Sequence, residues 1–368
     1  MRFLDLIVEQ QNHFLDTTAR MQANGNPIVL IGAGCLAQMT CSFMQRQALR
    51  IDYVAVNQQY LTPGAVFNDF ELVALESLMA SGQRYNYIIA LQFISDEFIA
   101  QLSPHAAEIL IYDPSFIGVN TDSFITRDFL QQHEAEWDAL YQQLADDKSR
   151  ETLAAFINQR ICARPEYYQA VYDANHYFPT DIVSLSNDEV FVDCGAYNGD
   201  SIAAFLSALA ARSLSQPHKI YGFEPDSGNY AKLCASTQAL DYCHCYNKGV
   251  WSSTTTLHFD SGRALSSKIS DDESMASIEL TTIDEVTAGE KVTFIKMDIE
   301  GAELEALKGA SATIQRYRPV LAISAYHKPE DLLTLPRYVQ TLVPDYRFYL
   351  RGHHPLHAFE LVLYAIPR

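Results

Sequence analysis

Short apolar runs alternate with longer segments of mixed polarity at both ends of the chain, a pattern typical of parallel strands joined by helices. In the first third these runs predict strands at Ile28–Ile31, in the segment that ends at Asn57, at Tyr87–Leu91 and at Glu108–Tyr112. Residues 1–125 are therefore predicted to form a small open α/β domain. At its start, Phe3, Leu6, Ile7 and Phe14 predict a short amphipathic helix with one apolar face.

The segment from 126 to 175 is polar and helical in pattern. Its larger apolar residues recur at helical spacing, at Leu130, Trp137, Leu140, Tyr141 and Leu144. We expect a helical connector here, with the acidic pair Asp146-Asp147 on a solvated face.

The last part, residues 176–368, repeats the alternation of strands and helices. Apolar runs that predict strands lie in EVFVDC, KIYGFE, HCYNKG, VTFIKM, PVLAIS, YRFYLR and FELVLYAI. We expect a doubly wound, mainly parallel sheet closed by an antiparallel C-terminal hairpin. The polar stretch Asp260–Ser277 is expected to be a mobile surface loop.

Composition and charge narrow the class of partner. With 26 Lys and Arg against 45 Asp and Glu in 368 residues, the formal net charge is −19. A protein with this much negative charge repels the phosphate backbone of a nucleic acid. No apolar run approaches the roughly 20 residues of a membrane span, and the N-terminus lacks the pattern of a signal peptide. We expect a cytoplasmic protein that acts on a small molecule, without nucleic-acid or membrane partners, and a homo-oligomer stays open.

The seven cysteines are scattered along the chain, which fits a reducing compartment rather than a disulfide framework. The segment Cys243-His244-Cys245 comes nearest to a metal-binding cluster. Because side chains in a strand alternate between faces, we expect no metal ion there.

Acids and glycines gather where the predicted strands of the last part end. The first strand ends in Asp193 and a turn with Gly195 and Gly199, whose missing Cβ atoms let the backbone approach a ligand. Asp193 can accept hydrogen bonds from a cationic amino group. Glu224 ends the second strand about one βαβ unit later, where a carboxylate can bind both hydroxyls of a ribose. An exposed strand-end acid would explain Glu224 alone, but not its pairing with Asp193.

Three acids, Asp298, Glu300 and Glu303, crowd the turn after the fourth strand. Since the carboxyl ends of parallel strands meet at one sheet edge, Asp298 is expected to face the same crevice as Asp193 and Glu224. Glu300 and Glu303 equally fit a structural role at a helix N-terminus. Asp298 with Glu300 can also hold a divalent cation, although we assign no metal ligand.

The last part resembles the FkbM family of methyltransferases. The matching segments are VFVDCGAYNGDS, GFEPD, KGVWS, FIKMDIEGAELEALKGA and RPVLAISAYHKPEDL, which follow one another in the family's order. The resemblance implies a class I methyltransferase fold, S-adenosylmethionine as cofactor and O-methylation of a sugar or another small natural product. In the glycine loop Tyr197 replaces the middle glycine of the common methyltransferase pattern, a departure that this family tolerates.

The resemblance also implies which residues bind the cofactor. In the matching segments these are Asp193, Cys194, Gly195, Ala196, Tyr197, Gly199, Asp200, Ser201, Glu224, Pro225, Asp226, Gly249 and Asp298. Tyr177 precedes the first strand in the segment NHYFP, which looks like a family segment. It can lie over the cofactor or belong to the core.

Methyl transfer to a hydroxyl requires positioning and benefits from a base or a metal ion. Asp298 and His327, which follows the fifth strand, are the predicted catalytic residues, with His327 as the base. A loop histidine without a catalytic role is the alternative. Arg351, His353 and His354, in the predicted hairpin turn, can bind an acidic or hydroxylated substrate or simply face solvent.

The turn Gly32-x-Gly34-x-x-Ala37 is a variant of the dinucleotide fingerprint. The first domain resembles the Rossmann-like domains that are fused ahead of this family's catalytic part, but Asn57 stands where a dinucleotide fold presents an acid. A substrate-docking, nucleotide-related or scaffold role is therefore favoured over a working NAD site. Two alternatives to the methyltransferase stay open: an NAD-linked oxidoreductase, and a non-catalytic module that binds adenosylmethionine or a sugar nucleotide.

Overall fold

The computed structural model of the chain describes residues 2–117, 125–259 and 276–368. Within them the chain forms two large sheets, each flanked by helices, and a small third sheet. The mobile loop predicted at Asp260–Ser277 lies almost wholly outside the described residues, and its last two residues begin a strand. Among the described residues, no helix is both long and apolar enough to cross a membrane.

The first sheet has six strands. They are β1 (Ile28–Ile31), β2 (Tyr53–Val56), β3 (Val66–Phe67), β4 (Phe70–Ala74), β5 (Tyr85–Ile89) and β6 (Ala106–Leu110). Their order is β3-β4-β2-β1-β5-β6; β3 pairs antiparallel with β4, and the other pairs are parallel. The helices beside it are α1 (His13–Ala23), α2 (Cys35–Arg46), α3 (Leu75–Ala80) and α4 (Asp96–Leu102). All four predicted strands are present. The sequence analysis did not predict β3 and β4, because these half-exposed strands lack a clear apolar run.

The predicted amphipathic helix at the N-terminus is wrong. A turn of 3-10 helix at Phe3–Leu6 is followed by extended backbone before α1 begins. The reason is a distant side chain: the backbone N–H groups of Val8 and Glu9 donate to Asn158 Oδ1 at 2.9 and 3.1 Å. Because this segment is held extended, Phe3 packs in the core of the second sheet and Phe14 in that of the first.

Helices follow where the sequence predicts them: α5 (Arg127–Gln132), α6 (Glu134–Gln143) and α7 (Asp147–Cys162). The apolar residues of the predicted helical stripe are buried or packed against the core of the second sheet, at Leu130, Trp137, Leu140, Tyr141 and Leu144. These helices therefore share the core of the second sheet.

The acidic pair Asp146-Asp147 was expected on a solvated face, but Asp146 does not lie on one. It caps α7 by accepting the backbone N–H of Ser149 (2.8 Å), and it binds the buried Arg351 through Oδ2 and Nη2 (2.7 Å). Only Asp147 is fully exposed, as predicted. The missed partner lies some two hundred residues away, so local sequence patterns do not indicate it.

The remaining strands are β7 (Val190–Cys194), β8 (Lys219–Phe223), β9 (Cys243–Tyr246), β10 (Gly249–Val250), β11 (Thr255–Phe259), β12 (Ala276–Thr281), β13 (Phe294–Met297), β14 (Val320–Ser324), β15 (Arg347–Gly352) and β16 (Leu361–Ile366). Seven form the second sheet in the order β15-β16-β14-β13-β7-β8-β9, and β16 is antiparallel to both neighbours. This confirms the predicted doubly wound sheet with its antiparallel hairpin. Strands β10, β12 and β11 form a small separate sheet.

The helices around the second sheet connect its parallel strands. They are α8 (Asp200–Ala211), α9 (Ser227–Thr237), α10 (Ile283–Thr287), α11 (Glu303–Lys308), α12 (Ser311–Tyr317) and α13 (Asp331–Leu342). Three of them, α8, α9 and α11, begin within a few residues of the ends of β7, β8 and β13. These three strand ends form the edge at which the predicted site residues lie.

Candidate active site

The turn after β7 contains three residues with positive φ: Gly195 (81°), Tyr197 (46°) and Gly199 (91°). A Cβ atom on Gly195 would lie 2.0 Å from the carbonyl oxygen of Asp298, and one on Gly199 would lie 2.5 Å from Ser236 Oγ. Both glycines are therefore required by the protein's own packing. That packing brings the turns after β7 and β13 into contact.

Asp193 is fully buried and lies opposite Lys296 in the β7–β13 pair. Lys296 Nζ is 3.0 Å from Asp193 Oδ1 and donates to the carbonyl oxygen of Gly195 (2.7 Å), while Ser201 Oγ donates to the other Asp193 oxygen. Burial opposes the charge on Lys296, but Asp193 and Asp298 outweigh it and raise the pKa of Lys296. From the sequence, Asp193 was expected to accept hydrogen bonds from a cationic amino group of a ligand. In the structure this carboxylate pairs with Lys296 instead.

Glu224 follows β8 and contacts the turn after β7. It is only 6% exposed; Oε2 accepts the backbone N–H of Tyr197 and Oε1 that of Asp226, both at 2.9 Å. Burial raises the pKa of Glu224, although the two N–H groups oppose the change. Each carboxylate oxygen has a second lone pair, so Glu224 can still accept hydroxyl groups from a ligand.

Most of the other predicted cofactor residues occupy the same two turns or the helix starts behind them, at Cys194, Ala196, Asp200, Ser201, Pro225 and Asp226. Cys194 and Ala196 are fully buried, so their side chains belong to the core. Gly249, in β10, is adjacent to Pro225. A Cβ atom on Gly249 would lie 3.9 Å from Pro225 Cβ and 2.6 Å from Leu280 Cδ2, so a larger residue here would have to displace the Leu280 side chain.

Asp298 follows β13, and its side chain is 24% exposed. Its oxygens accept hydrogen bonds from the hydroxyl groups of Tyr177 (2.9 Å) and Tyr326 (3.4 Å). Burial would raise the pKa of Asp298, but Lys296, His327 and the Tyr177 hydroxyl hold it below its usual value. Asp298 is therefore a carboxylate at the sheet edge, near Glu224 and the glycine turn.

Tyr177 is a core residue that reaches the site through its hydroxyl group. It is buried, has a positive φ of 62°, and stacks on His176 with 3.7 Å between the ring centroids. Lys296 Nζ lies 5.3 Å from the centre of the Tyr177 ring. Of the two positions considered for Tyr177, the structure thus shows the one in the core. Its hydroxyl group holds the Asp298 carboxylate in place through a hydrogen bond.

The two predicted catalytic residues lie side by side. His327 is 1% exposed, with Nε2 at 3.5 Å from Asp298 Oδ1 and 3.8 Å from Glu300 Oε2, and Nδ1 at 3.1 Å from Glu303 Oε1. Burial lowers the pKa of His327, but Glu303, Asp298 and Glu300 outweigh it and raise the pKa to about 10. At neutral pH the ring is therefore protonated, and in this state it cannot accept a proton.

Glu360 is a residue of this region that the sequence patterns do not indicate. Its Oε2 lies 3.3 Å from His176 Nε2, and its φ is 53°. Burial, and then the charge of Asp298, raise the pKa of Glu360 to about 7. Burial lowers the pKa of His176 to about 3, so that ring is neutral. The only signal in the sequence is an acid at the start of the apolar run FELVLYAI.

Arg351 has neither of the positions predicted for it, a substrate-binding or a solvent-facing place in the hairpin turn. Arg351 lies in β15, is buried, and binds Asp146 (2.7 Å) and Asp181 (2.8 Å). His353 is buried, with both ring nitrogens within 2.8 Å of protein oxygens, and His354 Nδ1 accepts backbone N–H groups. Arg351 thus connects β15 to the start of α7, and the two histidines bind protein groups near their own loop.

Cys243 and Cys245 share one side of β9, with 4.0 Å between their sulfur atoms, and His244 is exposed. The alternation expected for this segment is confirmed. It separates the histidine from the two thiols, as a strand requires.

The turn after β1 repeats the packing of the turn after β7. A Cβ atom on Gly32 (φ 123°) would lie 2.7 Å from the carbonyl oxygen of Ala90, whereas one on Gly34 would meet nothing within 4 Å. A cleft of about 460 Å³ lies at this edge, lined by Asn57, Leu91, Phe93, Ile94, Ser95, Phe98 and Leu356. Asn57 and Ser95 are the polar members of this lining.

Comparison with known proteins gives one family and one extended structural likeness. Residues 193–353 match the methyltransferase FkbM domain. The crystal structure of methyltransferase FkbM from Methylobacillus flagellatus is similar over 98% of this chain and 95% of that chain, with a TM-score of 0.74 and 24% identity, which shows a shared fold. Aeropyrum pernix fibrillarin with bound S-adenosyl-L-methionine covers 50% of this chain and 70% of its own, at a TM-score of 0.32 and 12% identity, too little to support an argument. No curated protein sequence matches the chain significantly.

Proposed function

From the premise that residues 193–353 are a methyltransferase FkbM domain, we propose that the protein transfers a methyl group from S-adenosylmethionine to a hydroxyl group of a small molecule such as a sugar. The main support is the position of Glu224. The Glu224 carboxylate accepts the backbone N–H of Tyr197 in the glycine turn, and the backbone of Asp298 packs against Gly195 of the same turn. Two carboxylates thus flank one turn at the edge where such sheets bind ligands.

The donor groups at this edge fit the cofactor. Glu224 retains the acceptor capacity that a ribose diol requires. When bound, S-adenosylmethionine supplies a methyl group attached to a positively charged sulfur. The carboxylates of Asp298 and Glu300 make the neighbouring surface acidic, and this charge favours a cationic ligand over a neutral one.

Asp193 has a supporting role in this proposal. Its carboxylate is occupied by Lys296 and Ser201, and Lys296 also donates to the carbonyl oxygen of Gly195. The buried pair therefore fixes the peptide that begins the glycine turn. We assign the contact with the ligand to the backbone of this turn and to Glu224, and the orientation of the turn to Asp193 and Lys296.

We assign to Glu360 the proton-accepting role first expected of His327. A carboxyl group with a pKa of about 7 can accept a proton near neutral pH, whereas His327 already carries one. Replacing Glu360 by Gln should lower the rate of methyl transfer about 10²–10⁴-fold, the usual effect of losing a general base. Affinity for S-adenosylhomocysteine should not change. A variant with the wild-type rate would remove Glu360 from the mechanism.

Calorimetry with S-adenosylhomocysteine on the full chain tests the cofactor site. We expect micromolar binding, weakened at least about tenfold by Glu224→Ala, because a hydrogen bond to a charged group contributes about 1.5–3 kcal/mol. Asn57→Ala is the matched control, since Asn57 follows the second strand of the first sheet as Glu224 follows β8. Equal affinity in both variants would remove Glu224 from the site, and no binding by the wild type would refute the proposal.

Mass spectrometry separates the methyltransferase from the two alternatives. Incubation with S-adenosylmethionine and a panel of sugars should yield S-adenosylhomocysteine and a product 14 mass units heavier than its acceptor, as replacement of one hydrogen by a methyl group requires. A non-catalytic module would bind the cofactor without turnover across the panel. An NAD-linked oxidoreductase would retain NAD or NADP during purification and would not bind S-adenosylhomocysteine.

A further inference from the structure

Buried polar atoms of Glu303 and His327 converge beside Asp298. Glu303 begins α11, His327 follows β14, and both side chains are at most 1% exposed. Each of the three residues offers one ligand atom, and these atoms lie within 4.8 Å of one another. The cluster thus joins two carboxylates from the turn between β13 and the start of α11 to an imidazole from the loop after β14.

Three atoms of this cluster lack the hydrogen bonds that burial normally demands. Within the described part of the chain, Glu303 Oε2 and both ring nitrogens of His327 have no hydrogen-bond partner. Glu303 Oε1, in contrast, accepts the backbone N–H groups of Ile299 (3.0 Å) and Gly301 (3.4 Å). One oxygen of Glu303 therefore fixes the turn after β13, and the other is left for a different partner.

The charges point to the kind of partner. Asp298 Oδ1 and Glu300 Oε2 lie 3.5 and 3.8 Å from His327 Nε2, and Glu303 Oε1 lies 3.1 Å from Nδ1. Three carboxylates thus surround one imidazole, and a single proton on the ring leaves the group negative. A divalent cation would balance this charge and use the unpaired atoms of Glu303 and His327 as ligands.

The spacing suits a metal ion. With bonds of about 2.1 Å to nitrogen and oxygen, two ligands of one ion lie about 3 Å apart when adjacent and about 4.2 Å apart when opposite. The three ligand atoms of the cluster all lie within 4.8 Å of one another, which is close to the separation of two opposite ligands. The turn itself is fixed: Glu300 and Gly301 have positive φ (55° and 93°), and Lys328 Nζ donates to the carbonyl oxygen of Gly301.

We propose that Asp298, Glu303 and His327 bind a divalent transition-metal cation such as Mn²⁺, with Glu300 on the solvent side of the site. The inference rests on the proposed function for its purpose: a cation beside Asp298 would bind the acceptor oxygen and lower the pKa of its hydroxyl group. Ligation would also replace the proton on His327. The ring would then hold the ion instead of accepting a proton from the substrate.

Electron paramagnetic resonance of Mn²⁺ tests the site directly in the full-length, metal-depleted protein. We expect one bound Mn²⁺ whose spin-echo modulation shows an imidazole nitrogen. Glu303→Gln should weaken Mn²⁺ binding at least about tenfold, and His327→Gln should abolish the nitrogen signal. Glu305→Gln on the same helix is the control, because Glu305 pairs with Lys308 at the surface.

Two further measurements keep the test decisive. If Glu303→Gln does not fold, Asp298→Asn, whose side chain is partly exposed, replaces it. Calorimetry with S-adenosylhomocysteine on the same samples separates the two proposals, since we place none of the cofactor contacts on Glu303 or His327. Mn²⁺ affinity that is unchanged in these variants, or no binding of Mn²⁺ by the wild type at millimolar concentration, would overturn the metal site. A wild-type protein that binds Mn²⁺ but not S-adenosylhomocysteine would refute the proposed function instead.

Discussion

The two parallel sheets use the same turn but surround it with different chemistry. In each sheet a central strand ends in a glycine whose missing Cβ leaves room for a backbone oxygen of the neighbouring turn. This oxygen belongs to Ala90 beside Gly32 and to Asp298 beside Gly195. The neighbouring strand is β5 in the first sheet and β13 in the second, and both pairs are parallel.

The layer beneath these glycines differs. In the first sheet Leu30 lies opposite Ile88, and in the second Asp193 lies opposite Lys296. The next strand end carries Asn57 in the first sheet and Glu224 in the second. A glycine turn after a strand therefore indicates close packing of two turns, and the charged residues around it indicate whether a polar ligand is bound.

The largest effect should come from breaking the buried ion pair. Lys296→Met leaves the carboxylate of Asp193 buried without its cation, and we expect the free energy of unfolding to fall by about 3–5 kcal/mol. Ile88→Met, at the matching position of the first sheet, is the control and should cost no more than about 1.5 kcal/mol. Urea denaturation followed by circular dichroism measures both. A loss of similar size in the two variants would show that the two layers are energetically alike.

A double variant sharpens this result. Asp193→Leu combined with Lys296→Ile copies the apolar layer of the first sheet into the second, and apolar replacements of buried pairs are often neutral or stabilising. We expect the double variant to recover most of the stability that Lys296→Met loses. Its binding of S-adenosylhomocysteine should be weaker than that of the wild type, because the carbonyl oxygen of Gly195 loses its donor, Lys296. Recovery of both would mean that the pair does not orient the turn.

The glycines should give the next largest effects. Gly195→Ala combines a positive φ with a Cβ atom 2.0 Å from a backbone oxygen, so we expect a loss of about 3 kcal/mol. Gly32→Ala, at 2.7 Å, should cost about 2 kcal/mol. Gly34 has φ −92° and free space but is the N-cap of α2, where Ala is less favourable than Gly, so Gly34→Ala should cost less than about 1 kcal/mol. Thermal unfolding of the three variants ranks them, and a different order would contradict the steric explanation.

The strands and their ends could be predicted from the sequence because local patterns encode them. Runs such as Ile28–Ile31 are apolar on both faces, as strands covered by helices must be. The strand-end acids followed from the same patterns, since a parallel sheet places all its carboxyl ends at one edge. Thus Glu224 and Asp298 could be assigned to one edge before their contacts were known.

The partners of these acids could not be predicted in this way. Lys296 and Glu303 stand inside a recognised segment, but nothing local shows that one pairs with Asp193 and the other with His327. Glu360 enters the region only because the C-terminal hairpin folds back onto β14. Such contacts depend on tertiary packing, which sequence periodicity does not specify.

The smallest expected effect concerns the first sheet, which we expect not to bind NAD or NADP tightly. Backbone N–H groups at the start of α2 can meet a pyrophosphate, but Asn57 lacks the charge with which an acid binds a ribose, and the adjoining cleft is mostly apolar. Titration of the full chain with NADH, followed by its fluorescence, should show no sub-micromolar binding.

Asn57→Asp supplies the missing acid and is the matched variant. If it raises NADH affinity about tenfold, equivalent to about 1.4 kcal/mol, the strand-end residue decides the ligand in the first sheet as we propose that Glu224 does in the second. Sub-micromolar binding by the wild type would instead show that the glycine turn suffices without an acid. The distinction between the two sheets would then disappear, and the oxidoreductase alternative would gain the support that it lacks.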